Sequence, residues 1–237
     1  MKKRALYLGD SPKNGPACYL LGILKHARFS ITHIEPSKTL SRSLMRNPFS
    51  LIIISDYSRK KLNVSHMAWM EERVKKGAGF VMIGGWCSFN GFNQGYKGSL
   101  IEKILPVTCL HRDDRQNLAS GAFFDRARIS HPAFRAISLL PSPVLVGYNK
   151  VLAKKKNQIL LRVRGSTNGK QNPLLVVGHY GKGKTAAWTS DLAPHWCGGL
   201  LDWGKRRLKI KIAKNIQIEV GNTYIHFFTT LFKWLTS

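Results

Sequence analysis

Acidic residues are scarce in this sequence. Asp and Glu together number 12 against 38 Lys and Arg, which gives a formal net charge of +26 at pH 7. Any mechanism that uses carboxylates, whether for proton transfer or for metal binding, must therefore draw on a short list of residues. The 8 histidines show no HxH or HExxH spacing. The sequence thus predicts neither a metal site nor a cofactor.

The chain also lacks a disulfide pattern and long hydrophobic runs. Its 4 cysteines have no CxxC spacing, and too few apolar residues follow the basic start for a secretory signal peptide. The longest apolar runs, such as 51–54 and 80–83, fall far short of the roughly 20 residues that span a bilayer. We therefore expect reduced thiols, no membrane partner and a cytoplasmic location.

Internal repeats, low-complexity segments and domain boundaries are not visible either. Hydrophobic residues make up 43% of the 237 residues, which is enough to bury a sizeable core. We predict a single domain over residues 1–237.

Short apolar runs alternate with helical patterns in the first third of the chain. This rhythm predicts an α/β fold with an open parallel sheet. The predicted strands are 4–8, 29–34, 50–55 and 79–83, and the predicted helices are 16–27, 44–47 and 64–76. In the second half, Gly, Asn and Lys turns separate four strand-like segments, which predicts an antiparallel hairpin extension of the sheet. These segments are 144–149, 158–164, 174–178 and 185–189, and a last helix is predicted over 222–235.

Chemistry in a parallel sheet belongs at the carboxyl ends of its strands. Asp10 and Ser11 follow the first predicted strand, and Asp56 and Tyr57 follow the third. The fourth strand leads into residues 84–91, where two glycines allow a sharp turn. Such a turn would present a cysteine and free N–H groups at the crevice, as a nucleophile elbow does.

Residues 178–185 match the P-loop pattern GxxxxGK[ST]. A P-loop requires a helix that starts at the Lys-Thr pair, so that the helix N-terminus holds phosphate. The residues that follow indicate a strand instead. We therefore predict a glycine-rich hairpin turn rather than a nucleotide site.

Six segments that occur in a fixed order identify a known family. They are IISDYSR (53–59), KKGAGFVMIGGWCSFNG (75–91), IEKILPV (101–107), SHP (130–132), PLLVVGHYGKGKTAAWTSDLAPHW (173–196) and LDWG (201–204). In these segments the chain resembles the putative glutamine amidotransferase family, a branch of the class I glutamine amidotransferase-like superfamily. The resemblance implies a three-layer α/β/α fold of the flavodoxin-like, Rossmann-like type.

The resemblance also implies a catalytic arrangement. A class I amidotransferase uses a cysteine nucleophile, a histidine base, a carboxylate that orients the histidine, and backbone N–H groups for the oxyanion. These roles fall on Cys87, His195 and Asp191, with the N–H groups near Trp86 and Ser88 as oxyanion donors.

The match to this arrangement is incomplete. Phe89 stands where the superfamily elbow has its second glycine, and Pro-His-Trp around His195 replaces His-Pro-Glu. Asp202 is an alternative to Asp191 as the orienting carboxylate. We therefore leave open whether the protein is an enzyme, because a half-buried free cysteine is also a common structural residue.

The predicted ligand is a small molecule, and its crevice combines the strand ends with the segment around His195. The predicted binding residues are Asp10, Ser11, Asp56, Tyr57, Gly85, Trp86, Ser88, Phe89, Trp196 and Asp202. The sequence does not determine the oligomeric state, and a homo-oligomer is among the options.

The charge supports an alternative function. The basic runs 59–61, 154–156 and 205–211 are suited to neutralising phosphates, and 6 Trp with 7 Tyr offer stacking surfaces. The alternative is therefore a non-catalytic protein that binds an acidic partner or, without sequence specificity, nucleic acid. A solvated basic surface without a partner explains the same runs, and no nucleic-acid-binding motif accompanies them.

Overall fold

The computed structural model describes residues 2–93, 95–126, 130–134, 137, 138, 141–165 and 171–237. The helices are α1 (Ala17–His26), α2 (Arg42–Met45), α3 (Val64–Lys75), α4 (Leu100–Ile104), α5 (Pro194–Cys197) and α6 (Asn222–Leu235). The strands are β1 (Arg4–Gly9), β2 (Ser30–Ile34), β3 (Leu51–Ser55), β4 (Gly79–Ile83), β5 (Val107–Cys109), β6 (Arg115–Arg126), β7 (Leu145–Asn149), β8 (Val151–Ala153), β9 (Gln158–Gly165), β10 (Gln171–Tyr180), β11 (Gly183–Trp188), β12 (Arg207–Ala213) and β13 (Ile216–Gly221).

A large mixed sheet forms the centre of the molecule. Within the described residues it has nine strands in the order β2-β1-β3-β4-β11-β10-β9-β6-β7. The strands from β2 to β11 pair in parallel, and those from β11 to β7 pair antiparallel. The predicted mixed α/β class with a large central sheet is confirmed.

The inner parallel strands β3 and β4 are almost entirely apolar and are buried on both faces. All five residues of β3 and all five of β4 are buried. Successive side chains of a strand point to opposite faces. Tyr7 and Ile53 accordingly lie in one hydrophobic cluster with α1 and α6, whereas Leu8 and Ile54 lie in the other with α3 and α4. Strands buried on both faces give continuous apolar runs rather than alternation.

Local sequence signals mark both ends of α3. The Asn63 side chain accepts a hydrogen bond from the His66 N–H (2.9 Å) and caps the start of α3. Met67, Met70 and Val74 form its buried face. Gly77, with a φ of +119°, follows its end. The predicted helix 64–76 matches α3 to within one residue.

The glycine-rich segment 178–185 is the turn of the β10–β11 hairpin, as predicted. Tyr180 pairs with Gly183 across the turn, and Gly181 has a φ of +58°. No helix starts at the Lys-Thr pair, since Thr185 lies within β11.

Two features differ from the sequence-based expectation. The predicted strands do not include β6, which begins at Arg115 in a polar segment typical of a loop. The basic run 205–211 leads into a separate two-stranded sheet, β12–β13, which packs against α1. The part of the chain that the structure describes contains no helix with the length and apolarity that a membrane crossing requires.

Candidate functional site

Four parallel strands end side by side at one edge of the sheet. Asp10 directly follows β1, and Asp56 directly follows β3. The segment 84–87 follows β4, and Asp191 lies three residues beyond β11. Three of the few carboxyl groups in the sequence are therefore brought to the same edge by the strand order.

A pocket of about 690 Å³ lies at this edge. Seven of the predicted site residues line it: Asp10, Ser11, Asp56, Trp86, Cys87, Asp191 and His195. Sequence reasoning missed the rest of the lining, which comes mainly from the start of α1 and two loops: Asn14, Gly15, Pro16, Cys18, Tyr19, Pro36, Ala193 and Pro194. Of the described residues in this lining, none is Lys or Arg.

Asp10 is a buried residue of the pocket lining. Its carboxylate accepts a hydrogen bond from the Tyr7 hydroxyl (2.5 Å), and its N–H donates to the Ser55 carbonyl (3.1 Å). Burial raises the pKa of Asp10 to about 6, although hydrogen bonds from Ser55 and Tyr7 oppose the increase. Near neutral pH this carboxyl group therefore retains protons that an exposed aspartate would have lost.

Asp56 occupies the turn after β3 with a φ of +48°. Its Oδ1 accepts a hydrogen bond from the Cys87 N–H (2.7 Å), and the Trp86 N–H also donates to this carboxylate. Burial and the charge of Asp10 raise the pKa of Asp56 to about 7. Gly85 is required beside it, because a Cβ at that position would lie 2.2 Å from Asp56 Oδ1. The N–H groups of Trp86 and Cys87 are thus occupied by a carboxylate.

Asp191 is also buried. Its Oδ1 accepts hydrogen bonds from the Leu192 N–H (2.6 Å) and the Ala193 N–H (3.0 Å). Burial, followed by the charges of Asp10 and Asp56, raises the pKa of Asp191 well above its usual range. The three carboxyl groups therefore form one interacting cluster.

The antiparallel part of the sheet holds the glycine turn in place. Asn149, the last residue of β7, accepts a hydrogen bond from the Gly85 N–H (2.9 Å) and donates to the Gly85 carbonyl (3.1 Å). Its amide also donates to Asp114 (2.7 Å), which accepts a further hydrogen bond from the Asn90 N–H (2.7 Å). Burial raises the pKa of Asp114 to about 6. No local sequence signal marks Asn149, because its partners are 35 and 64 residues away in the chain.

Cys87 lines the pocket as a half-buried free thiol. Burial and the charges of Asp56 and Asp10 raise its pKa, and Arg115 opposes the increase. A nucleophilic cysteine needs the opposite shift, because the thiolate is the reactive form.

His195 lies in the short helix α5, directly after Pro194 at its first position. The Trp86 indole N–H donates to His195 Nδ1 (3.1 Å), and the two rings meet edge to face. In a neutral imidazole one nitrogen accepts and the other donates. In this arrangement the acceptor nitrogen of His195 is engaged by Trp86 and not by Cys87.

Cys87, His195 and Asp191 thus share a pocket without a hydrogen-bonded chain. Among the residues that the structure describes, none of the three is hydrogen bonded to another. Likewise, no group of three His, Cys, Asp or Glu side chains in those residues is placed to hold a metal ion.

The other predicted site residues lie outside the pocket lining. Ser88 supports the site from behind, since its Oγ accepts the Asp56 N–H (3.0 Å). Phe89 is buried with a φ of +50°, a conformation that favours the glycine found there in the superfamily. Tyr57 donates its hydroxyl to the Lys38 carbonyl (2.6 Å). The Trp196 indole donates to Asn117 (2.8 Å), and Asp202 pairs with Arg207 on the surface.

A family model described as putative glutamine amidotransferase matches residues 16–217. The chain belongs to this family. The predicted resemblance is therefore confirmed over most of the sequence. No curated protein matched the chain.

Solved structures support the family fold. Two cytoplasmic proteins of Salmonella typhimurium superpose with a TM-score of 0.77 each, at 23% and 24% identity. The alignments cover 98% of both chains in the first case, and 99% of this chain and 100% of the other in the second. A ThuA-like protein from Bacteroides uniformis has a TM-score of 0.57 at 12% identity and covers 99% of this chain and 91% of its own. At these identities the likeness establishes the fold and leaves the activity to the site itself.

Proposed function

We propose that the protein binds a small molecule in the pocket at the carboxyl ends of the strands. The proposal includes one domain over residues 1–237, of three-layer flavodoxin-like architecture with an antiparallel extension, in the cytoplasm. The observation that carries it is the convergence of Asp10, Asp56 and Asp191 on a 690 Å³ pocket. Burial of carboxyl groups costs stability, and titratable groups with shifted pKa values in a cleft are characteristic of functional sites.

We propose binding rather than Cys-His amide hydrolysis. Acyl transfer needs an activated thiolate, a base with a free lone pair and unoccupied N–H donors for the oxyanion. Burial raises the pKa of Cys87, Trp86 occupies His195 Nδ1, and Asp56 accepts the N–H groups of Trp86 and Cys87. All three observations favour a family member whose amidotransferase chemistry has degenerated.

Alkylation of Cys87 with iodoacetamide across a pH series tests the absence of an activated thiol. We expect a thiol pKa at or above the ordinary value of about 8.5, with no change in His195→Ala. Ammonia release from glutamine, with Cys87→Ala as the control, should show no dependence on Cys87. A depressed thiol pKa that rises in His195→Ala, or glutaminase activity that disappears in Cys87→Ala, would establish the enzyme instead.

The same thiol gives a test of binding. Because Cys87 lines the pocket, its alkylation should obstruct a ligand, whereas iodoacetamide treatment of Cys87→Ala should not. We expect a fragment set of amines, alcohols, amides and carboxylates, followed by ligand-observed NMR, to contain a class that binds only when Cys87 is unmodified. If no class does so, the proposed pocket function is wrong.

One observation favours a second candidate function. Arg207, Lys209 and Lys211 alternate along β12 and are all exposed on the same face of the hairpin. We propose this row as the strongest place for an acidic partner or for nucleic acid to contact the protein. Arg207 and Lys209 are paired in part with Asp202 and Glu219, which weakens the attraction.

A further inference from the structure

The pocket combines buried negative charge with an absence of cations. Asp10 is 7% exposed and Asp191 is 6% exposed, and Asp56 lies between them in the lining. No Lys or Arg among the described residues lines the pocket, although the protein carries a net charge of +26. A buried anion without a cationic partner is costly. A ligand that supplies the missing positive charge would remove this cost.

One oxygen of the cluster is left without a donor. The two backbone N–H groups that stabilise Asp191 both bind its Oδ1. Within the described residues, no donor contacts Asp191 Oδ2, and this atom is not among their enclosed, unpartnered polar atoms, so it is open to the pocket that Asp191 lines. This oxygen can therefore accept a hydrogen bond from a donor group of a ligand in the pocket.

Part of the remaining lining is apolar. Pro16, Pro36, Ala193 and Pro194 form much of the wall, and the indole of Trp86 is 39% exposed. A hydrated metal ion gains nothing from contact with an apolar wall, because it binds oxygen ligands. The apolar part of an organic molecule would remove this wall from water.

We infer that the ligand is a primary organic amine whose ammonium group faces Asp10, Asp56 and Asp191 and whose body packs against the apolar wall. This inference rests on the proposed function of the same pocket. An ammonium group has three N–H donors and no acceptor, which suits a cluster of carboxylates. A neutral alcohol supplies one donor and no charge, and a carboxylate ligand would be repelled.

Proton release should accompany the binding of the amine. Without ligand, protons offset part of the charge, because the pKa values of Asp10 and Asp56 are raised to about 6 and about 7. An ammonium group must displace these protons, so affinity should fall about tenfold per pH unit below the pKa of the displaced carboxyl group. The other titratable groups that face the cluster are Tyr7 and His33 behind Asp10, and Cys18, Tyr19, Cys87 and His195 in the lining.

The test compares benzylamine with benzyl alcohol and benzoate, which differ mainly in charge. Saturation-transfer NMR and calorimetry on the full chain would measure binding at about pH 5.5 and about pH 8. We expect benzylamine alone to bind, more than tenfold more tightly at the higher pH, with proton release visible as a dependence of the heat on the buffer. Asp56→Asn should weaken binding at least tenfold and flatten the pH dependence. Asp125→Asn, which removes an acidic group elsewhere on the sheet, should leave both unchanged.

The outcomes separate this inference from the proposed function. Equal binding of benzyl alcohol and benzylamine, blocked by alkylation of Cys87, would overturn the amine and leave the pocket as a binding site. Absence of benzylamine binding would also overturn the amine, and the fragment survey would then decide the proposed function. If Asp56→Asn does not fold, the test uses benzylamine binding to the unmodified protein at the two pH values and benzylamine binding to Asp10→Asn.

Discussion

The pocket and the β12–β13 hairpin differ in the sign of their charged side chains and in how far these are exposed to water. The pocket holds two buried aspartates, Asp10 and Asp191, and the half-buried Asp56, and none of its described lining residues is Lys or Arg. The hairpin exposes Arg207, Lys209 and Lys211 to water, beside the acidic side chains of Asp202 and Glu219. Water screens the exposed charges, so their positions matter little for stability. In the pocket, the backbone and a few side chains must stabilise the charge, so each position matters.

The net charge of the whole protein does not describe the charge of the pocket. A charge of +26 favours an anionic partner, and the exposed row on β12 agrees with that view. The pocket has the opposite preference, because the strand order gathers 3 of the 12 acidic residues at one sheet edge. Net charge therefore describes the surface and not the site.

The largest effect is expected where the backbone is most closely packed behind the pocket. A Cβ at Gly84 would lie 2.1 Å from the Thr189 carbonyl oxygen and 2.8 Å from Asn149 Oδ1. Gly84→Ala should therefore separate β4 from the segment after β11 and lower the free energy of unfolding by about 3 kcal/mol. Urea denaturation measures this loss.

Gly199→Ala is the matched control. A Cβ there would meet its nearest atom at 3.6 Å, an ordinary contact. We expect a change of no more than about 0.5 kcal/mol. Equal effects of the two substitutions would contradict the view that the pocket is fixed by close backbone packing.

A smaller effect, opposite in sign, is expected from a buried carboxyl group. The pKa of Asp10 in the folded protein, about 6, is raised above that of an unfolded aspartate. The folded state therefore binds more protons, and the stability that this carboxyl group contributes at low pH is lost as the pH rises through about 6. Asp10→Asn removes the charge and keeps an oxygen that can accept from Tyr7. It should raise the free energy of unfolding by about 2 kcal/mol at about pH 8, and much less at about pH 4.5.

Asp202→Asn makes the same chemical change beside the hairpin. Asp202 is exposed and paired with Arg207, so its loss should change stability by less than about 0.5 kcal/mol and should not stabilise the protein. Urea denaturation of both variants at the two pH values sharpens the comparison. A similar response of Asp10→Asn and Asp202→Asn would mean that burial does not distinguish the two regions.

The two halves of the sheet were not equally predictable from the sequence. The parallel half was predicted well because burial on both faces leaves runs such as 51–54 without polar residues. β6 was missed because its first residues, Arg115 to Asn117, are polar and resemble a loop. β12 was missed because its alternating charges drew attention as a basic run, although alternation of exposed and less exposed residues is itself a strand pattern.

The site was predictable where it depends on strand ends. Asp10 and Asp56 follow strands directly, so topology alone places them at one edge. The hydrogen-bond partners were not predictable, because they depend on three-dimensional contacts between distant residues. Three hydrogen bonds join elements that are distant in the chain: between Asn149 and Gly85, between Trp86 and His195, and between Asp56 and the Cys87 N–H. Because of these contacts, a turn that resembles a nucleophile elbow in the sequence lies beside a cluster of carboxyl groups in the structure.

The smallest effect is expected on the hairpin. Lys211 is exposed on β12 and, among the described residues, has no ion pair. If the row contacts phosphates, each lysine releases about one counterion, so binding to an oligothymidylate should weaken with salt and Lys211→Gln should reduce the slope of that dependence by about one. Lys76→Gln removes the same charge from α3's end, outside the row, and should leave the slope unchanged. An equal change in both variants would mean that the net charge of the whole protein, and not the hairpin, attracts the polyanion.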